Sequence, residues 1–174
     1  VNIQVDLINR IGTWIGEGTD VSVHVKLLDP DGKTIVGNAI KRIPVKTEST
    51  ASINITLLNN IKLWSSDTPA LYRTQVQIIE VNGFSMKSIY PVITTRFGIR
   101  HLSFSVASGF QINGVTTKLR GGCLHHANGP LGSRAFDRSE YRRVEILKKA
   151  GYNAIRTSHN PVSPAFLDAC DEIG

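Results

Sequence analysis

Apolar residues recur at every second position through the first part of this chain, and near Gly98 that period stops. Ile3, Val5 and Leu7 alternate with polar residues, as do Val21, Val23, Val25 and Leu27, then Ile53, Ile55 and Leu57, with Val76 and Ile78 continuing the pattern. Period two buries one face of a strand and wets the other. The punctuation between these runs agrees. Asp29-Pro30-Asp31-Gly32 is a turn in which Pro30 fixes φ and Gly32 accepts a positive φ. Asn82-Gly83, between Gln75–Val81 and Phe84–Tyr90, has the composition of a two-residue hairpin. Strands at short intervals without a helical stretch predict an antiparallel sandwich of about seven strands. Trp64 and Tyr72 flank the loop Ser65-Ser66-Asp67-Thr68-Pro69, where a Trp suits either stacking on a sugar or packing in a core or hinge. Nothing in this segment has catalytic spacing. By itself it reads as a scaffold or a binding module.

The alternation breaks at Arg96 to Arg100, and a connector leads to Gly109-Phe110-Gln111-Ile112-Asn113-Gly114. Phe110–Ile112 and Val115–Leu119 flank Asn113-Gly114, a second tight hairpin. Leu119 to Asn160 then reads strand, loop, helix, strand, loop. Leu119–Cys123 is the first strand, emptying into a loop with His125, His126 and Asn128. Asp137–Ala150 is the helix, with Tyr141, Val144 and Leu147 on one face and Ile146 beside them. Asp137 or Ser139 is the predicted cap, and Gly151 the predicted stop. Ala154–Thr157 is the second strand, followed by Ser158, His159 and Asn160. Ser163 as cap, Pro164 as first residue, and an Ala165, Phe166, Ala169, Cys170 stripe predict a second helix ending near Ile173. Polar groups thus gather at the C-terminal ends of two successive strands joined by a helix, where parallel α/β folds place their chemistry.

Two strands and two helices neither close an eight-stranded barrel nor complete a doubly wound sheet. The second segment is therefore expected to be the opening part of a larger domain. Its open sheet edge is adhesive, so it is expected to bury against the sandwich or against another copy of the chain, forming a homo-oligomer. Of 174 residues carrying a net charge of +6, the basic ones are spread out with no run of five. This disfavours a nucleic-acid partner against a solvated basic surface. No stretch approaches the roughly 20 apolar residues that span a bilayer, and no membrane partner is expected. No signal peptide is read at Val1, and a chain starting mid-strand is expected to come from something larger. Cys123 and Cys170 form no CxxC or zinc spacing and read as two buried free thiols, with a disulfide as the alternative.

Several segments resemble glycoside hydrolase family 2, the β-galactosidase and β-glucuronidase group. Leu63-Trp64-Ser65-Ser66-Asp67-Thr68-Pro69-Ala70-Leu71-Tyr72 resembles that family's LWSPDTPxLY segment, and Thr95-Arg96-Phe97-Gly98-Ile99-Arg100 its TRFGFR link. Gly109–Gly114 is similar to its GFxLNG hairpin, and Leu119-Arg120-Gly121 to its first barrel strand. Asn153-Ala154-Ile155-Arg156-Thr157-Ser158-His159-Asn160-Pro161 resembles its NAIRTSHYP signature, with Asn160 where Tyr is common. The resemblance covers nearly the whole chain, with its motifs in the family's order. It implies a mainly β protein: an immunoglobulin-like sandwich over 1–98, then the first two β/α units of an incomplete catalytic TIM barrel over 99–174. It also implies a retaining β-glycosidase acting on a β-linked oligosaccharide or glycoside. No cofactor is implied, and a bacterial periplasmic or secreted location is. The catalytic Glu pair would lie on later barrel strands, beyond residue 174, leaving this chain inactive alone.

By that resemblance His125 lines the sugar subsite, His159 is the signature His after the second strand and Arg156 the signature Arg; for both imidazoles a substrate role competes with that of structural loop histidines. Neutral imidazoles can hydrogen-bond sugar hydroxyls. Arg156 is suited to orient a carboxylate from a later strand, or to a buried barrel ion pair. His126, Asn128 and Asn160 are further substrate-binding candidates on the loops. A metal reading of His125, His126 and His159 fits no common spacing and brings no carboxylate. Asp137, Glu140 and Glu145 on the first helix, and Asp168, Asp171 and Glu172 on the second, are expected to face away from a barrel mouth. Two other readings compete. One is a non-catalytic sandwich binding a carbohydrate or a protein. The other is a small complete enzyme using His125, His159 and a carboxylate such as Asp137.

Overall fold

The computed structural model describes residues 1–8, 20–44, 48–57, 60–82, 85–88 and 90–174. They form two compact units. One contains residues 1–61 and 72–97, and the other residues 62–71 and 98–174.

The first unit has the strands β1 (Asn2–Ile8), β2 (Asp20–Leu28), β3 (Ile35–Pro44), β4 (Glu48–Asn54), β5 (Leu71–Asn82), β6 (Ser85–Ser88) and β7 (Ile93–Gly98). β1 pairs antiparallel with β4, and a second sheet runs β3-β2-β5-β6 with β7 also on β5. Val21, Val23, Val25 and Leu27 of the central β2 are almost fully buried and meet Ala51 and Ile53 of β4 in one cluster. That is the period-two face read from the sequence, and it makes the two sheets a sandwich. Each such Val or Leu contributes roughly 1.5–3 kcal/mol by leaving water. The Asp29–Gly32 turn forms as expected, with Gly32 at φ 72 and its amide donating to Asp29 O at 2.8 Å. The Asp31 carboxylate accepts the next two amides, at 2.7 and 2.8 Å. β5 and β6 pair as a hairpin ending at Asn82 and Ser85. Gly83 and Phe84 of its turn lie outside the described residues.

The second unit begins with β8 (Leu102–Ser105), β9 (Gly109–Ile112) and β10 (Val115–Thr116), an antiparallel sheet in the order β10-β9-β8. Asn113 and Gly114 both take positive φ, 54 and 79, as a type I′ hairpin requires. β8 corrects the sequence reading, which treated this stretch as a connector. Its apolar Leu102 and Phe104 are exposed, and a four-residue strand is too short to display a period.

Next come β11 (Gly121–Leu124), α1 (Asp137–Lys149), β12 (Ala154–Thr157) and α2 (Pro164–Ile173). β11 and β12 are parallel, pairing Gly121 with Ala154 and Cys123 with Arg156. Val144 of α1 packs with Phe166 and Ala169 of α2, and Leu124 and Ile155 join them. α2 starts as expected, with Ser163 accepting from the Phe166 amide at 3.2 Å. α1 does not. Its cap position is Phe136, without a side-chain cap bond. Asp137 is already helical, and the Ser139 hydroxyl turns back to Phe136 O at 2.7 Å. A cap needs its oxygen on the extended residue before the first turn, and here that residue has none. The C-terminus follows the sequence. Gly151 has φ 85, and its amide and that of Tyr152 donate to Lys148 O and Leu147 O at 2.9 and 3.1 Å, a Schellman ending.

Candidate active site

The parallel pairing of β11 and β12 fixes where their polar exits meet. Leu124 and Thr157 are register partners, and the Ser158 amide donates to Leu124 O at 2.9 Å. His125 and His159 therefore leave the sheet side by side. Their rings stand edge to face, centroids 5.5 Å apart at 86°. Both are exposed, and the Ser158–His159 peptide is cis. His126 Nε2 lies 3.3 Å from the Pro161 carbonyl, a bond the ring makes as donor, leaving Nδ1 to accept. The loops after both strands are thus linked a second time. Asn160 follows His159 and is exposed.

Arg156 lies on β12 beside Cys123. Its Nη1 donates to Ser158 Oγ at 3.1 Å and to Cys123 Sγ at 3.4 Å. The hydrogen bond from Ser158, and next the Arg156 guanidinium, hold the Cys123 thiol below the ordinary thiol range. Cys123 is exposed and Cys170 half-buried, both free. This corrects the expectation of two buried thiols for Cys123, because the face of β11 that α1 does not cover carries it.

The Asn128 side chain bonds to the start of α1. Its amide nitrogen donates to Ser139 Oγ at 2.9 Å and reaches Glu140 Oε1 at 3.5 Å. Glu140 is 3% exposed and pairs with Arg143 at 3.2 Å. Arg143 Nη2 donates to the His125 carbonyl. The sequence reading expected the carboxylates of α1 to face away from a barrel mouth and did not foresee that one of them is buried. Glu145 does sit on the outer face, held by Arg138 at 2.8 Å, but Glu140 lies inside. The signal was present, since Glu140 precedes the buried Val144 by four residues and so shares its face. Ser158, also buried, was marked after the second strand but was not among the candidate binding residues. Among the described residues, no group of three or more His, Cys, Asp or Glu side chains is arranged to hold a metal ion.

Trp64 is in the core of the second unit. Its ring nitrogen donates to Asp171 O at 2.8 Å, and the Arg100 guanidinium lies 4.7 Å from its ring centroid. Of the two roles open to it, packing is the one it fills.

Residues 1–100 match the sequence family described as Glycosyl hydrolases family 2, and residues 106–174 match the TIM barrel domain of that family. The chain belongs to glycosyl hydrolase family 2. Family 2 relatives cover it almost entirely. It is 33% identical over 177 residues to Beta-galactosidase BoGH2A of Bacteroides ovatus, spanning 100% of this chain and 19% of that one. It is 36% identical over 152 residues to a putative beta-glucuronidase of Formosa agariphila, spanning 87% of this chain and 14% of that one. The chain therefore spans under a fifth of the length of these curated relatives. Among solved structures, a family 2 member from Bacteroides cellulosilyticus superposes with a TM-score of 0.84 at 35% identity, covering 99% of this chain and 23% of that one. Bacteroides uniformis beta-glucuronidase does so with a TM-score of 0.84 at 28% identity, covering 99% and 20%. The family 2 assignment accounts for the two units: a sandwich domain, then the start of a TIM barrel.

Proposed function

We propose that this chain is the central sandwich and opening barrel portion of a retaining β-glycosidase that hydrolyses O-glycosidic bonds of glycans. The observation that carries the reading is the pairing of His125 and His159 at the C-terminal ends of two parallel strands, the edge at which TIM barrels hold their active sites. Relatives named beta-galactosidase and beta-glucuronidase support the substrate class. In such an enzyme one carboxyl group protonates the leaving oxygen and a second, about 5–5.5 Å away, attacks the anomeric carbon. Both carboxyl groups come from outside residues 1–174. The role of this chain is to bind. His125 and His159 hydrogen-bond sugar hydroxyls, and bonds that tighten in the oxocarbenium-like transition state lower the barrier. Arg156 directs a charge-assisted bond to an incoming carboxylate. His126, Asn128 and Asn160 shape the loops around the sugar.

The test is hydrolysis of a panel of nitrophenyl β-glycosides, including galactoside and glucuronide, by this chain and by a version extended through the barrel. Turnover by the extended form alone supports the reading and names the sugar. Turnover by the 174-residue chain, lost in His159→Ala, would replace it with a small complete enzyme. Sugar binding without turnover by either form would favour a binding module.

A further inference from the structure

The hydrogen bonds of Glu140 and Arg143 go to neither the His125 nor the His159 imidazole, yet they hold the backbone from which His125 hangs. The two side chains are 3% and 12% exposed and lie 3.2 Å apart. Taking both charges out of water is costly, and apolar residues of the same volume often serve stability as well or better. Such a pair is worth its desolvation only if its remaining donors and acceptors are used. Here the further bonds that the pair makes run to one loop. Arg143 Nη1 meets Glu140, and Nη2 donates to the His125 carbonyl. The Asn128 amide reaches Glu140 Oε1 at 3.5 Å and Ser139 at 2.9 Å, while the Asn128 backbone amide closes the loop on Gly132 O at 2.7 Å. The Arg143 guanidinium also lies 6.0 Å from the Phe166 ring centroid, on the helix that follows His159. The planar fork is thus clamped between a carboxylate and a ring, and it points at the main chain of the residue whose imidazole faces His159.

We propose that Glu140 and Arg143 are positioning residues: the pair fixes the His125 backbone and with it the edge-to-face arrangement of His125 against His159. Lysine at position 143 would keep the charge but lose the second donor of the fork. The catalytic consequence rests on the glycosidase reading, whereas the geometric claim does not.

The experiment records ring signals of the chain labelled with ¹⁵N-histidine, assigned by single His→Gln replacements. Glu140→Gln and Arg143→Lys are compared with Glu145→Gln, which breaks only the exposed pair with Arg138. Both inner variants are expected to shift or broaden the His125 and His159 signals while His24 and His101 stay in place, and Glu145→Gln is expected to move none. Lower melting temperatures with His125 and His159 signals unmoved well below melting would overturn the proposal, since the pair would then be merely structural. Should Glu140→Gln fail to fold, Arg143→Lys decides by the same criterion. In the barrel-complete enzyme Glu140→Gln is expected to lower kcat/KM roughly ten- to a hundredfold, mostly through kcat. A loss no larger than the unfolded fraction would count against the proposal. If the barrel-complete wild type cleaves no glycoside, the glycosidase reading falls, and the ring signals still decide the positioning claim.

Discussion

Trp64 Nε1 donates to the Asp171 carbonyl at 2.8 Å, joining residues 107 positions apart within one compact unit. The segment around Trp64 is fixed at several further points. The Trp64 amide donates to Ile99 O at 2.8 Å, Asn113 donates to Trp64 O at 3.0 Å, and Lys148 Nζ bonds Ser66 O and, at 2.6 Å, Gly174 O. A piece of chain lying between two sandwich strands in sequence is therefore a core element of the barrel unit.

Trp64→Phe keeps a ring and removes the donor, and is expected to cost about 1 kcal/mol. Trp64→Ala also empties the site and is expected to cost about 3–5 kcal/mol. Hydrogen exchange locates the loss. Amides of β11, β12 and α2 should lose protection while those of β2 keep theirs. Loss in β2 first would show that the tryptophan supports the sandwich instead.

Gly121 and Gly122 are adjacent on β11 and should respond differently to a methyl group. A Cβ on Gly121 would lie 2.2 Å from the Ala154 carbonyl oxygen of the neighbouring strand, whereas one on Gly122 meets nothing nearer than Tyr152 Cε1 at 3.8 Å. Gly121→Ala is expected to cost roughly 1–3 kcal/mol through overpacking, and Gly122→Ala less than about 0.5 kcal/mol. Urea midpoints compare them, and equal midpoints would contradict the close approach of the two strands.

The two thiols should differ in reactivity. Cys123 is exposed, with its pKa lowered by Ser158 and then Arg156, and the thiolate is the nucleophile. Cys170 is half-buried, and burial pushes its pKa up to about 11. Iodoacetamide near neutral pH should modify Cys123 first, and Arg156→Leu should slow that step. Peptide mapping by mass spectrometry reads the order, and Cys170 modified first would refute it.

Cys170 also gives a pH dependence with a definite sign. Its folded-state pKa is raised, from 9.0 to about 11, so the folded chain holds a proton that the unfolded chain releases. The associated stability is fully present below about pH 9 and is lost as the pH rises through about 11. Cys170→Ala should melt lower than wild type at pH 7, by the packing it gives up. That gap should narrow between pH 9 and 11. A gap constant with pH would place the alkaline loss elsewhere.

Local rules made part of this molecule legible. Ala154–Thr157 is the strand the sequence marked, Ser163 caps α2, Gly151 closes α1 with a positive φ, and Asn113-Gly114 turns a hairpin. In each case the cause lies within a few residues of the effect. β8 was missed because its apolar residues stay exposed. The cap of α1 was misplaced because the boundary fell between Phe136 and Asp137, and the burial of Glu140 went unread because it depends on a loop partner, Asn128, as well as on Arg143 of α1 itself.

The sequence alone determined the alternating strands, the βα succession, the family motifs, and the clustering of His125, His126, Arg156, His159 and Asn160 at strand ends. These follow from periodicity, turn chemistry and chain direction, all local properties. Only the tertiary structure decided that Trp64 belongs to the barrel unit, that Asn128 faces α1, and that Glu140 is buried on Arg143 beneath the His125 loop. Each depends on which groups from distant positions satisfy one another's hydrogen bonds after burial, and a buried polar atom takes whichever partner the packing brings within reach.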